Sequence, residues 1–205
     1  MKATSAQSGG RRSAQDRRAR IITAARSLFA QQGFHNTGMA QIARVSDVLV
    51  GQIYRDFASK EDLIAAIVEQ DVSGLLHDPE LPCTSDATAH DDLIGWVRKF
   101  VCRKFDEETR RVLADILSEG TRNPRMADIL TAAHHRLRES LVGAIAVWAP
   151  DPGKRAACEV LADLILTVEG AITHRQIVGL HSGCMVEARM MEMIEMQIED
   201  LRSQA

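Results

Sequence analysis

The chain is short of several things, and each shortage removes a class of protein. Its four cysteines, Cys83, Cys102, Cys158 and Cys184, lie far apart and form no C-x-x-C pair, which argues against a zinc site or disulfide framework and for plain buried thiols. No stretch approaches the ~18 uninterrupted apolar residues of a membrane span, and the N-terminus has no apolar signal region, so no membrane partner is expected and the protein is placed in the cytoplasm. No Val/Ile/Thr run alternates with period two and no internal repeat is visible, which leaves an all-α fold. A nucleophile elbow, a phosphate-cradling glycine loop and a paired-carboxylate arrangement are all missing, so neither catalysis nor a cofactor is expected. The rival to a binding protein is a helical metal enzyme built on His174, His181 and Glu169, and no H-E-x-x-H pattern supports it.

What the chain does have is an uneven charge. The net charge of −3 conceals ten Lys/Arg against three Asp/Glu in residues 1–60 and fifteen against twenty-five in the remaining 145. A basic head on an acidic body suits a DNA-binding unit joined to one that does not bind DNA, because only the head gains by releasing counterions from phosphates.

About nine helices can be read in order. Residues 1–12 are polar and Gly/Ser-rich, and they read as a disordered arm. Ser13 to Asp16 has the form of a capping box, and the stripe Ile21, Ala24, Ala25, Leu28 and Phe29 follows as the first helix, stopped at Gly33 with Phe34 folding back. Arg17, Arg18 and Arg20 lie on or beside its exposed face, equally suited to phosphate and to solvent. Ser59 to Asp62 repeats the capping pattern and opens a helix over about 60–76. The stretch 76–90, with two prolines and no apolar period, reads as a linker between a head at 15–75 and a body at 91–205. Body helices are expected over about 91–105, 106–120, 123–149 (capped by Asn123 before Pro124), 151–181 and 186–202, with Ser182-Gly183 as the last break.

Between Thr37 and Leu63 the pattern is densest. A short helix over about 38–45, a turn at Ser46-Asp47 and a second short helix from about Leu49 to Tyr54 make a helix-turn-helix, with Met39, Ile42, Ala43, Val48, Ile53 and Phe57 inward and Thr37 as candidate N-cap. Thr37, Ile42-Ala43, Val48, Gly51, Ile53-Tyr54, Phe57, Ser59-Lys60-Glu61 and Leu63 form a motif that resembles the TetR family of bacterial transcriptional regulators. The turn departs from that family's usual Ala-Gly-Val-Ser, having Ser46-Asp47-Val48-Leu49. Asp tolerates the left-handed conformation, whereas Leu49 can neither cap the second helix nor donate to a phosphate. Either Asp47 caps from two residues upstream, or this helix grips the DNA backbone less firmly.

The resemblance implies a homodimeric repressor that reads a palindromic double-stranded operator and leaves it when a small apolar or amphipathic effector binds. The same fold acting as an activator, or without a ligand, stays open. Gln52 reaching an adenine edge and Val50 meeting a thymine methyl are the expected base readers, with Thr37, Gln41, Tyr54, Arg55 and Lys60 as further DNA contacts. Trp96, Phe100, Met126, Ile129 and Trp148, with His134, Arg138, Glu169 and His174 as polar members, are candidates for an effector pocket. The last two long helices each carry more than one apolar stripe, which implies a second partner, and Leu164, Val168, Ile172, Met191, Ile194 and Ile198 are the expected dimer contacts.

Overall fold

Nine α-helices and no strand make up the described residues of the computed structural model, which are 5–77, 89–180 and 184–203 for the backbone and 13–77, 93–180 and 185–201 for the side chains. The helices are α1 Ser5–Gln32, α2 Met39–Ser46, α3 Val50–Asp56, α4 Lys60–Leu76, α5 Ala89–Val101, α6 Glu107–Gly120, α7 Pro124–Trp148, α8 Arg155–Ile177 and α9 Cys184–Ser203, with a single 3₁₀ turn at Pro152–Lys154 before α8.

Most boundaries follow local chemistry that the sequence displays. Ser59 and Asp62 exchange backbone-to-side-chain hydrogen bonds at 3.1 and 3.2 Å, a reciprocal cap that starts α4. Asp106 accepts from the Thr109 N–H at 2.7 Å to start α6, and Asn123 accepts from the Arg125 N–H at 3.1 Å beside the proline that opens α7. Helix α5 ends at Val101, four residues short of the expected stretch, and two further ends differ from expectation. The first is α1, which begins at Ser5, so the arm expected to be disordered is helical from there on, residues 1–4 lying outside the described set, and the Ser13–Asp16 box sits inside the helix. Extending a helix whose far half is already packed costs no new nucleation, and that outweighs the local capping preference. The second is α8, which ends at Ile177 rather than near His181: Gly179 has φ +72°, its N–H donates to the Gln176 carbonyl at 3.2 Å, and Leu180 donates to that of Arg175 at 2.9 Å. That is a Schellman closure on a left-handed glycine. The break expected at Ser182-Gly183 lies outside the described residues, as does most of the expected linker.

The chain divides into two compact units, and the division is not the one drawn at 76–90. Residues 1–70 group with 106–130, and residues 71–105 group with 131–205. In the first unit Ile21, Ala25 and Phe29 of α1, Ile42 of α2, Ile53 of α3 and Leu63, Ile64 and Ile67 of α4 form one core with Val112 and Ile116 of α6 and Met126 of α7. Polar ties fasten α6 and the start of α7 to this unit. The Phe34 N–H donates to Asp115 Oδ2 at 2.7 Å, His35 Nε2 lies 2.8 Å from the buried Glu119 carboxylate, and Asn123 donates to Glu61 at 3.2 Å. Gly33, at φ +84°, makes the sharp exit from α1 that brings the Phe34 N–H to Asp115.

The second unit is built on Leu93, Trp96, Val97 and Phe100 of α5, Leu141 and Ile145 of α7, Leu161, Ala162, Ile165 and Ile172 of α8, and Met191, Ile194 and Ile198 of α9. Helix α8 packs on both α5 and α9, which explains why it shows more than one apolar stripe.

Candidate nucleic-acid interface

Helices α2 and α3 are joined by a turn whose geometry depends on one residue. Asp47 adopts φ 52°, ψ 49°, so an aspartate occupies the left-handed position that the sequence suggested it would tolerate. The buried Ser46 hydroxyl donates back to the Ile42 and Ala43 carbonyls at 2.8 and 3.2 Å, and Val48 and Ile53 turn into the core. Leu49 is the residue before α3, with extended backbone, and no side chain caps that helix, neither Asp47 nor any other.

The arginines of α1 brace this motif. Arg17 donates from Nε and Nη2 to both carboxylate oxygens of Asp56, the last residue of α3, at 2.7 and 3.1 Å, and the two side chains are only 21% and 11% exposed. Arg18 donates to the Asp56 carbonyl at 2.8 Å and lies 4.3 Å from the centre of the Phe57 ring, while Arg20 reaches the Ser46 carbonyl at 3.4 Å. The hydrogen bonds from Arg17, and then the charges of Arg17, Arg18 and Arg55, hold the Asp56 carboxyl below its ordinary range. These arginines thus orient the recognition helix from within the unit.

Three of the seven expected DNA contacts are tied up in the same way. Thr37 is 1% exposed; its hydroxyl donates to the Gly33 carbonyl at 2.8 Å and accepts from Gln32 at 3.2 Å, so it neither caps α2, which starts from Gly38 without a side-chain cap, nor faces a phosphate. Gln41 exchanges hydrogen bonds with Gln32 at 2.6 and 3.1 Å. Lys60 donates to the Phe34 carbonyl at 2.6 Å with its ammonium 4.5 Å from that ring's centre. A nearby carbonyl and an aromatic face satisfy a lysine as well as a phosphate does, and sequence position alone does not separate the two.

The other four stand on α3. Val50, Tyr54 and Arg55 are exposed and Gln52 is half-buried, while Ile53 between them is buried. Gly51 lies in the middle of this face, and a methyl group placed on it would meet nothing within 4 Å. Glycine weakens a helix, and the packing inside the unit does not demand one at this position. The motif also exposes residues that its spacing does not single out, among them Arg44 on α2 and Leu49 before α3.

The expected effector residues do not form one set. Trp96 and Phe100 stack at 5.1 Å with planes 7° apart inside the second core, and Trp148 packs half-buried against that core. Met126 and Ile129 belong to the core of the first unit, a correction that follows from α6 and the start of α7 packing there. His134 and His174 are exposed, and Arg138 is clasped by Asp163 at 2.6 and 3.1 Å, so none of these three points inward. Glu169 is held by Arg103 at 2.8 Å and Thr173 at 2.9 Å, and the Arg103 guanidinium lies between the Phe100 and Phe105 rings at 5.3 and 4.7 Å. Arg103, just past the end of α5, thus links Glu169 to the aromatic pair.

The dimer contacts need a similar correction. Ile172, Met191, Ile194 and Ile198 are at most 1% exposed within the unit itself, and Leu164 and Val168 pack partly against the same core. The fold claims each helix's most apolar stripe first. The large apolar residues these two helices leave outside are Val160 at 68%, Met193 and Met196 at 58%, Val186 at 44% and Met185 at 86% exposed.

Among the described residues no helix is long and apolar enough to cross a membrane, and no three His, Cys, Asp or Glu side chains converge as for a metal ion.

Known proteins agree with this geometry. The family of bacterial regulatory proteins called tetR matches residues 21–67, which contain the whole helix-turn-helix. The chain is 32% identical over 126 residues to the HTH-type transcriptional regulator UidR of Escherichia coli, covering 62% of this chain and 63% of that protein. It is 33% identical over 106 residues to the regulator TtgR of Pseudomonas putida, 48% of either chain. The matches therefore span less than two thirds of these relatives. The solved structure of Salmonella enterica GusR superposes with a TM-score of 0.67 at 28% identity, over 90% of this chain and 96% of that one. A regulator from Saccharomonospora viridis, solved in complex with choline, shares the fold at a TM-score of 0.57 and 22% identity, over 91% and 95% of the two chains. The relatives it resembles are transcriptional regulators, and residues 21–67 carry the helix-turn-helix of the TetR family of bacterial regulatory proteins.

Proposed function

We propose that the chain is a transcriptional repressor that binds a palindromic DNA operator as a homodimer and releases it when a small apolar or amphipathic molecule binds the second unit. The observation that carries the DNA reading is the open face of α3, where Val50, Tyr54 and Arg55 are exposed and Gly51 lets another backbone or phosphate come close. Gln52 meets an adenine edge and Val50 a thymine methyl, while Tyr54, Arg55 and the exposed Arg44 hold phosphates. Residues 1–60, with ten Lys/Arg against three acids, supply the salt-sensitive part of the affinity. Selection of bound sequences from a random duplex pool tests this directly. The expected product is an inverted repeat with half-sites about one helical turn or a small multiple apart, and recovery of no preferred sequence would overturn the reading.

Dimerisation is supported by the apolar residues that α8 and α9 leave in solvent, Val160, Met193 and Met196, which join the half-buried Leu164 and Val168 in place of the four buried ones first expected. A chain sedimenting as a monomer at micromolar concentration would refute it. For the effector, the stacked Trp96 and Phe100 with Arg103 and Glu169 at their end offer both an apolar wall and a polar group, as an amphipathic ligand needs. The choline held by the Saccharomonospora viridis protein supports a small-molecule site in this fold. Helices α4 and α7 contribute residues to both units, and a coupling of ~1–3 kcal/mol between effector and DNA would be typical. A chemically broad library in which no compound changes DNA affinity or melting temperature would leave a ligand-independent regulator as the better description.

A further inference from the structure

Leu49 is 74% exposed, more than any other large apolar residue described in the first unit. Its place is fixed: with φ −64° and ψ 138° it is the residue before α3, and its carbonyl accepts from the Gln52 and Ile53 N–H groups at 2.8 and 3.2 Å. At that position a serine, threonine, aspartate or asparagine would bond an open N–H of the first turn, and leucine cannot. Its neighbour Val48 turns into the core, so burial within the unit does not account for Leu49 either. Beside it are Val50, 43% exposed, and one turn further along α3 Tyr54, 53% exposed; the exposed charged residues nearest in the chain are Arg44, Asp47 and Arg55. The start of α3 is therefore an exposed apolar step whose charged neighbours sum to a positive charge. Such a step suits a surface that is itself anionic and carries apolar groups at intervals. In the major groove the base edges present donors, acceptors and one apolar group, the 5-methyl of thymine.

We infer that Leu49 is a specificity-determining residue, covering the 5-methyl group of a thymine in each half-site beside the one met by Val50. This rests on the DNA-binding reading above and deepens it: the chain exchanges a cap at the start of its recognition helix for an apolar contact, and its operator carries thymine where Leu49 lands.

The test uses the full chain and the duplex recovered from the random pool. Each thymine in one half-site is replaced singly by deoxyuridine, which removes the methyl group and nothing else, and affinity is measured by fluorescence anisotropy at fixed salt. The expected result is a loss of about four-fold, the worth of one buried methylene, at a thymine whose sensitivity disappears in Leu49→Ala and persists in Val50→Ala. Leu49→Ser serves as the second variant; it should melt above the original chain, because it restores a cap, and be equally blind to that methyl. If binding is indifferent to every deoxyuridine, or Leu49→Ala keeps the full pattern, the inference is wrong while DNA binding stands. If no duplex shows salt-sensitive binding at all, both fail together.

Discussion

The two units of this chain treat their apolar residues in opposite ways, and the contrast separates what a local motif can reveal from what it cannot. In the first unit the inward residues of the helix-turn-helix, Ile42, Ala43, Val48, Ile53 and Phe57, are buried as their spacing demands, and it is the polar residues that turn out to be occupied inside the unit. In the second unit the apolar residues themselves changed roles: Ile172, Met191, Ile194 and Ile198 serve the core of the unit and not a partner. A stripe on a helix shows that something covers it, not whether the cover belongs to the same chain.

The widest difference should come from two neighbouring residues of α9. Ile194 is fully buried and Met193 is 58% exposed. Ile194→Asp places an unpaired carboxylate in the core and should cost more than about 4 kcal/mol, enough to lose most of the helical signal at room temperature. Met193→Asp should keep the fold and abolish the proposed self-association. Circular dichroism and sedimentation velocity on both variants check this. A folded Ile194→Asp chain, or an unfolded Met193→Asp one, would reverse the assignment of core and surface on α9.

Next in size is Met126, fully buried in the first unit although the chain order suggested the second. Met126→Ala should cost about 2–5 kcal/mol. Hydrogen exchange should show where: amides of α1 and α6 lose protection before those of α8 and α9. Loss of protection centred on α8 instead would contradict the division of the chain at Asp106 and Leu130.

The legibility of the sequence follows from the same contrast. The turn at Asp47, the reciprocal cap at Ser59 and Asp62 and the start of α7 at Asn123-Pro124 each depend on residues within four positions of one another, and all could be read directly. Asp115 accepting from Phe34, 81 positions away, and Arg17 clasping Asp56, 39 away, depend on how helices pack, so the membership of α6 and the role of the α1 arginines could not be read. Thr37 and Lys60 show the cost of reading by motif: both positions match the pattern, yet their donors find carbonyls of the exit from α1. The end of α8 is legible too, since Gly179 comes before Ser182-Gly183 and one left-handed glycine suffices to close a helix.

A smaller effect, with opposite signs in two assays, sharpens the contrast at the recognition helix. Gly51→Ala should raise stability by about 1 kcal/mol, because alanine favours the helix and the added methyl group meets nothing in the chain. The same variant should bind the selected duplex more weakly. Urea denaturation and anisotropy titration read the two changes separately. Unchanged DNA affinity would mean that no backbone approach occurs there, and the glycine would be left without a purpose.

The smallest effect compares one ion pair from each unit. Arg17 holds Asp56 and Arg138 holds Asp163, in both cases through two hydrogen bonds that lower the carboxyl's affinity for protons; Asp56 is 11% exposed and Asp163 50%. In either pair the folded chain binds the proton less readily than the unfolded chain, whose carboxylate titrates near ~3.9. The stabilising contribution is therefore fully present above that value and is lost as pH falls through the lower value of the folded state. Asp56→Asn should lower stability near neutral pH and flatten the acid limb of the stability curve, and Asp163→Asn should do the same to a lesser extent. Salt discriminates between them, because an exposed pair is screened at 1 M ionic strength, where the screening length is about 3 Å, while a covered one is screened much less. Melting curves from pH 3 to 7 at low and high salt should show the Asp163 contribution fading with salt and that of Asp56 persisting. Equal salt sensitivity of the two would show that the Arg17 brace on α3 is as open to water as an ordinary surface pair, and the recognition helix would then need some other hold on α1.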